Sequence, residues 1–362
     1  MMQTTAVALS GGVDSMVAAY LLKKSGRPVF GIHFLSGYET PEAEDVYKGE
    51  YPDSGILDLP KTHPLSALKD MLGIEIWALD CRRTFRQKIV DYFIDAYLKG
   101  ETPNPCMVCN FVIKFGLMLE AARQKGASQL ATGHYAICEK LTQNRYGLKK
   151  GHDKGKEQSY FLAMLSQTQL AHAYFPLGRL TKEGVSRIAA SNKLEPVSGH
   201  ESQDICFIKN MHYSHFLAEH AGLEPAPGEI VDVHGRYLGQ HQGLYRYTIG
   251  QRRGINSPST EPYYVIRLDT KNNRLVVGFK KDLYRYECKI HRVNWMRRRP
   301  EKSMHVMTKI RYRHDPAPSE IIPTGQDTAM IRFSRPQPAV TPGQAAVCYE
   351  GDQLAAGGWI YD

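Results

Sequence analysis

This sequence predicts an N-terminal α/β domain on a parallel sheet, followed by a small central domain and a C-terminal β-barrel. Three observations carry that reading. Strand-like and helix-like segments alternate through the first two hundred residues, which implies a parallel sheet covered on both faces. A glycine turn, Ser10-Gly11-Gly12-Val13-Asp14-Ser15, joins the first strand to the first helix. From about Tyr213 the pattern changes to short strand-like runs punctuated by Gly and Pro, the spacing of small barrels or sandwiches.

Each element follows from its residues. Ala6 to Leu9 reads as the first strand, and Asp14 to Lys24 as a helix with Val17, Leu21 and Leu22 on its apolar side. Pro28 to Phe34 and Ile74 to Leu79 read as strands, with a helix from Pro64 to Leu72 between them. The polar, Gly- and Pro-containing stretch from Glu39 to Thr62 reads as a loop or insertion. Phe85 to Leu98 and Phe111 to Gln124 show helical spacing, and Gln129 to Thr132 is a further strand. Beyond Tyr213 the strand-like runs are Gly228 to Val233, Tyr263 to Leu268, Arg274 to Val277, Met304 to Ile310, Thr328 to Phe333 and Ala345 to Tyr349. The expected domains are therefore residues 1–208, 209–276 and 277–362.

The chain has 362 residues, 42% of them hydrophobic, enough for more than one buried core. No apolar stretch approaches the roughly 18 residues of a membrane span, and no signal peptide precedes the first strand, so the expected compartment is the cytoplasm. The net charge of +9 suggests an anionic partner. Its distribution sharpens this: Lys280 to Arg313 holds 12 Lys and Arg against Asp282, Glu287 and Glu301, which is +9 in that segment alone. Basic residues interleaved with rings, as in Tyr245-Arg246-Tyr247 and Arg311-Tyr312-Arg313, suit phosphates and bases.

The glycine turn carries the chemistry. Glycine lets the backbone approach a phosphate, and the helix that follows presents free N–H groups and the positive end of its dipole. Ser10 and Ser15 add hydroxyl donors. The turn lacks the Lys of the G-x-x-x-x-G-K-[ST] loop and the G-x-G-x-x-G dinucleotide pattern. It is the S-G-G-x-D-S loop of enzymes that split ATP into AMP and pyrophosphate. Such enzymes adenylate a substrate oxygen, which a nucleophile can then displace.

Further segments resemble the bacterial tRNA-specific 2-thiouridylase family. They are Thr102-Pro103-Asn104-Pro105-Cys106-Met107-Val108-Cys109-Asn110 with Ile113-Lys114-Phe115-Gly116, Ala131-Thr132-Gly133-His134-Tyr135-Ala136, Glu157-Gln158-Ser159-Tyr160-Phe161-Leu162, Ser202-Gln203-Asp204-Ile205-Cys206-Phe207-Ile208, Tyr247-Thr248-Ile249-Gly250-Gln251-Arg252-Arg253-Gly254 and Thr341-Pro342-Gly343-Gln344. Their order and spacing extend the resemblance over nearly the whole chain. It implies an N-terminal pyrophosphate-loop (adenine nucleotide α-hydrolase-like) domain, a small central domain and a tRNA-contacting barrel. It also implies 2-thiolation of the wobble uridine, U34, of tRNA, with ATP and Mg2+ as cofactors and a cysteine desulfurase or sulfur-relay protein as donor. Carried over by position, nucleotide contacts fall on Ala8, Leu9, Ser10, Gly11, Gly12, Val13, Asp14, Ser15, Phe34 and Gly133. The nucleophile falls on Cys109 and the persulfide carrier on Cys206. Asn104, Pro105, Cys106, His134, Lys156, Glu157, Gln158, Arg311, Tyr312 and Gln344 match positions that approach tRNA.

The chain departs from that family at three places: Cys106 stands where the family usually has Asp, Glu157 where it usually has Asp, and residues near 40 to 60 look longer and different. Seven cysteines, an odd number, argue against a disulfide framework. Two mechanisms therefore compete. In one, Cys206 carries a persulfide and Cys109 assists, ending as a Cys109–Cys206 disulfide. In the other, Cys106, Cys109 and Cys206 hold a [4Fe-4S] cluster with one open iron; zinc with a fourth ligand is a third arrangement. The rival class is a pyrophosphate-loop ligase or amidotransferase acting on a small molecule, which would need neither the basic surface nor the cysteines.

Overall fold

Strands rich in Val, Ile, Leu and Ala and helices with one apolar face set the architecture. In the computed structural model, residues 3–39, 55–59, 63–197, 205–209, 211–255 and 257–362 are described. The chain divides into two units. One comprises Met1–Ile89, Cys106–Phe207 and Asp352–Leu354; the other comprises Val90–Pro105, Ile208–Gly351 and Ala355–Asp362.

The first unit contains strands β1 (Thr5–Ala8), β2 (Val29–Leu35), β3 (Ile56–Asp58), β4 (Ile76–Asp80) and β5 (Gln129–Ala131), then a hairpin of β6 (Ala136–Thr142) and β7 (Arg145–Lys150), then β8 (Ala173–Tyr174). Its main sheet has the order β3-β4-β2-β1-β5-β8. The pairs β4–β2, β2–β1, β1–β5 and β5–β8 are parallel. The edge strand β3 is antiparallel to β4. It lies within the stretch expected to be loop; residues 40–54 and 60–62 of that stretch lie outside the described residues.

The helix Val13–Lys24 turns Met16, Val17, Ala18, Ala19 and Leu22 inward. They share one core with Leu65, Leu68 and Leu72 and with Val185, Ala189 and Leu194. Val185 and Ala189 belong to a helix, Lys182–Ser191, capped by the Thr181 side chain. The core thus fixes the start of that helix against the same helix that follows the glycine turn.

One long helical run, Pro105–Gln124, is not uniform. Pro105–Cys109 and Leu119–Gln124 are α-helical, whereas Asn110–Met118 winds as a π-helix. The Gln169 side-chain amide donates to the carbonyls of Phe111 (2.7 Å) and Phe115 (3.0 Å) within the wider turns. This run is long and apolar enough to cross a membrane, against the expectation from sequence, but most of it is buried in protein. It is a core helix.

In the second unit, β9 (Gly228–Asp232), β10 (Tyr237–His241), β11 (Tyr264–Asp269) and β12 (Arg274–Gly278) form a sheet ordered β10-β9-β12-β11. Ile230, Val265, Leu275 and Val277 fill its core. The expected strand character from Tyr213 is corrected at its start: Tyr213–Ala221 is a helix, ended by Gly222 in the left-handed conformation. Its Phe216 and Tyr213 meet Phe93 and Tyr97 of the helix Asp91–Leu98. The strands β13 (Tyr284–Trp295), β14 (Met304–Lys309), β15 (Ala317–Pro323), β16 (Ala329–Pro338), β17 (Ala345–Glu350) and β18 (Gln353–Ile360) follow in the order β13-β16-β15-β14-β17-β18. Pairing of β13 with β18 closes them into a six-stranded barrel, the expected C-terminal architecture. Closure removes the exposed edges that an open sheet would carry.

Candidate active site

The glycine turn sits where β1 ends. Gly11 has φ +81°, a conformation that costs glycine nothing and other residues a great deal. Gly12 is the N-cap of the helix Val13–Lys24 and offers no side-chain cap, so the first N–H groups of that helix keep no side-chain partner from it. Ser15 Oγ accepts from the Ser10 N–H (3.2 Å) and donates to the Gly12 carbonyl (2.9 Å), holding the turn closed on itself. Gly133 approaches from the end of β5. A Cβ there would lie 2.9 Å from the Asp14 carbonyl carbon and the Ser15 nitrogen, so only glycine fits. Of the expected nucleotide residues, Ala8, Leu9, Ser10, Gly11, Gly12, Val13, Asp14, Ser15 and Gly133 thus lie along one turn and the strand end beside it. Phe34 lies on β2, half-buried, and stacks on Phe85 at 6.1 Å.

Asp14 is the turn's own carboxylate. Its Oδ1 accepts from the Tyr135 hydroxyl (2.8 Å) and from Lys182 Nζ (2.9 Å). Next to Tyr135, His134 is buried and its Nδ1 is 2.7 Å from Thr132 Oγ1. Burial holds the imidazole well below its usual range, and the Lys114 ammonium pushes the same way, so His134 is neutral. The Gln158 side-chain oxygen accepts from the Tyr135 N–H (3.1 Å), and the Gln158 N–H donates to the Tyr135 carbonyl (3.0 Å). Glu157 is buried and accepts from the Ser159 N–H at 2.5 Å. Lys156 is half-buried, and its N–H donates to the Asp153 carbonyl.

The thiols gather in the same unit. Cys109 is buried at the C-terminal end of the α-helical segment Pro105–Cys109; Cys106, one turn earlier, is exposed. Cys206 is exposed, and its neighbour Phe207 is buried edge-on against Phe85 and Tyr38, each at 5.9 Å. That aromatic anchor holds the Cys206 segment on the β2 side of the sheet; Ser202, Gln203 and Asp204 of its motif lie outside the described residues.

Desolvation is the largest influence on all three thiols. It pushes Cys109 up to about 12, Cys206 up to about 11, and Cys106 up as well. Cys106 and Cys206 reach solvent, although the protein around them disfavours the charged form. The thiols also raise one another: Cys106 and Cys206 both act on Cys109, and Cys106 acts on Cys206. One opposing charge favours the thiolate of each, the Lys114 ammonium. Lys114 lies five residues after Cys109, about 140° away on an α-helix. The π-winding between them, with its i→i+5 register, reduces that separation.

All seven cysteines are free thiols. Among the described residues, no group of three or more His, Cys, Asp or Glu side chains is placed to hold a metal ion. Asn110, the neighbour of Cys109, donates to the Phe161 carbonyl (3.1 Å), while its buried Oδ1 has no hydrogen-bond partner among the described residues.

The remaining expected positions belong to the second unit. Gln344 Nε2 donates to the carbonyls of Thr102 and Pro103, at 3.1 Å each, and so clamps the segment that leads to Asn104 and Pro105. The Asn104 N–H donates to the Tyr92 hydroxyl (3.3 Å). Arg311 donates to the Pro338 carbonyl (3.2 Å), and Lys309 lies 5.3 Å over the Tyr312 ring. Sequence reasoning assigned no role to Lys114, Asn110, Tyr135 or Lys182. The first three stood inside quoted motifs; for Lys182 nothing in the local sequence signals the contact with Asp14.

Family models match the chain in three successive parts: a tRNA methyl transferase HUP domain over residues 3–210, a tRNA methyl transferase PRC-barrel domain over 214–279 and an aminomethyltransferase beta-barrel domain over 285–360. A tRNA-specific 2-thiouridylase MnmA of Desulfosudis oleivorans is 46% identical over 98% of this chain and 94% of its own length. Proteins of the same name from Geotalea uraniireducens (94% of its length covered) and Geobacter metallireducens (95%) are 42% and 40% identical, each over 98% of this chain. The HUP-type domain, the central domain, the barrel and the near full-length identity agree: the chain belongs to the tRNA-specific 2-thiouridylase family.

Proposed function

We propose that the protein is a tRNA-uridine 2-sulfurtransferase that thiolates the wobble uridine, U34, at the expense of ATP. The observation that carries this reading is the presence, in one unit, of the Ser10–Ser15 phosphate turn, neutral His134 and the Cys106–Cys109–Cys206–Lys114 group. A small-molecule ligase would need only the first of these.

In this reading the uridine O2 attacks the α-phosphorus of ATP. The bond from that phosphorus to the bridging oxygen breaks, and pyrophosphate leaves. Ala8 to Ser15, with Phe34 and Gly133, bind the nucleotide, the open helix N-terminus facing the phosphates. Mg2+, when bound, neutralises phosphate charge; an ion held largely by phosphates and water needs one or two protein carboxylates, and Asp14 fits that requirement. His134 and Gln158, with Lys156 and Glu157 beside them, line the approach of the base. Asn104, Pro105, Arg311, Tyr312 and Gln344 serve tRNA contact, together with the basic segment from Lys280 to Arg313.

Sulfur arrives as a persulfide on Cys206, delivered by a cysteine desulfurase or relay protein. Its terminal sulfur attacks C2 and AMP leaves. The Cys109 thiolate then attacks Cys206 Sγ; the persulfide S–S bond breaks, the thiouridine is released, and a Cys109–Cys206 disulfide forms. A thiol reductant supplies the two electrons that reset it. The division of labour at 1–208, 209–276 and 277–362 and a cytoplasmic location belong to the same proposal.

The test is thiouridine content of tRNA together with AMP formation. Wild type should form both only with ATP, tRNA and a persulfide donor. Ser15→Ala should lower AMP formation about a hundredfold, since phosphoryl-transfer catalysis is mostly positioning and electrostatics. AMP formation that ignores tRNA would sink the reading in favour of a small-molecule ligase.

A further inference from the structure

The phosphate turn carries no lysine of its own, and its one charged side chain, Asp14, is negative. A carboxylate beside a polyphosphate repels it unless a cation stands between them. The fold supplies one from 168 residues further along the chain: Lys182 Nζ lies 2.9 Å from Asp14 Oδ1.

Lys182 is fixed at its base, and its side chain is partly exposed. Its backbone N–H donates to Asp153 Oδ2 (2.8 Å), and Thr181 caps the helix it begins. Val185 and Ala189 of that helix share a core with Met16 and Val17 of the helix behind the turn. The Lys182 side chain keeps 20% of its surface exposed, and that of Asp14 keeps 34%. Tyr135, almost fully buried, shares the same Asp14 oxygen, so Asp14 remains hydrogen-bonded when Lys182 departs.

We infer that Lys182 is the cation that receives the pyrophosphate leaving group, held ready by Asp14 until ATP binds. This rests on the adenylating function proposed above. As the bond from the α-phosphorus to the bridging oxygen breaks, its electron pair stays on the pyrophosphate oxygen. The Lys182 ammonium donates hydrogen bonds to that growing charge and keeps its proton. Preplaced donors aimed at developing charge are a large source of rate acceleration.

The experiment titrates inorganic pyrophosphate and AMP separately, without metal, into wild type, Lys182→Gln, Lys182→Arg and Asp14→Asn. Single-turnover AMP formation on tRNA is measured alongside. Lys182→Gln should weaken pyrophosphate about tenfold, the scale of a charge-assisted hydrogen bond, and leave AMP affinity unchanged. Lys182→Arg should retain most pyrophosphate affinity. Asp14→Asn should bind pyrophosphate at least as well as wild type, because it removes the anion and leaves the cation. Wild-type pyrophosphate affinity in Lys182→Gln would overturn the inference. So would parallel loss of AMP and pyrophosphate binding in Lys182→Gln and Lys182→Arg, which would mark Lys182 as a prop for the turn. A wild type that binds pyrophosphate but forms no AMP on tRNA breaks the functional reading instead.

Discussion

The barrel core and the thiol site both hold cysteines whose thiols burial pushes upward. In the barrel, Cys288 and Cys348 are 2% and 0% exposed; Cys348 Sγ lies 3.3 Å from Thr308 Oγ1, and each is surrounded by the barrel's apolar core. Cys348 is pushed up to about 12, as is Cys109 in the first unit. By titration alone the two regions look alike. They differ in what surrounds the sulfur. Among the described residues no cation acts on the barrel thiols, whereas Lys114 favours the thiolate at Cys106, Cys109 and Cys206. Cys106 and Cys206 also reach solvent. Burial alone makes a cysteine a small hydrophobe; access and a neighbouring charge make it a nucleophile.

The largest test of that contrast is removal of the thiols themselves. Cys109→Ala and Cys206→Ala should each lower thiolation by about a thousandfold or more, the loss expected when a covalent participant is deleted. tRNA affinity and melting temperature should stay close to wild type. Normal thiouridine content in either variant would dissolve the distinction between the two regions.

Lys114→Gln comes next. It should slow sulfur transfer about tenfold at pH 7, since one unit of thiol shift is a factor of ten in thiolate. The sign is fixed by the charge. The reactive form is the deprotonated one, burial has moved it to high pH, and Lys114 moves it partly back. Single-turnover transfer should therefore rise with pH across the neutral to alkaline range, below the value of about 12 for Cys109. The variant's profile should lie further to the alkaline side. Identical profiles for variant and wild type would remove Lys114 from the chemistry.

Cys106→Ala should keep activity within about fivefold, because neither sulfur carrier is lost. Cys106→Asp should do likewise. Inactive Cys106→Ala that has also shed bound iron would favour the cluster arrangement over the persulfide. In the barrel, exchanging the exposed pair Arg298 and Arg299 for Gln should weaken tRNA about threefold and flatten the salt dependence by one to two counterions, roughly the phosphate contacts removed. The smallest effect on chemistry belongs to Cys348→Ala. It should cost about 1 kcal/mol of stability through a small cavity, measured by denaturant melting, with unchanged thiolation.

Much of this was written locally. The Ser10–Ser15 turn was legible because it is defined by its backbone shape, and Gly11 at φ +81° together with an uncapped helix start needs no distant partner. The alternation of strand and helix and the later run of short strands were legible for the same reason, since each reflects the period of its own residues. The hairpin of β6 and β7 was missed: Glu139, Lys140, Arg145, Lys149 and Lys150 break the apolar alternation, and pairing between the two strands stabilises it instead. β13 was missed likewise, its outward charges hiding a strand that the barrel closes.

The sequence by itself determined the groups available: a serine- and glycine-rich turn, two motif cysteines with a third beside them, and +9 gathered between Lys280 and Arg313. Only the tertiary structure decided which charges serve which groups. Lys182 reaches Asp14 across 168 residues because two helices share a core. Lys114 acts on Cys109 from a position that an α-helix would turn away, because the Asn110–Met118 segment winds more loosely. A charge acts through space, and the chain order of residues fixes that space only after the backbone has folded.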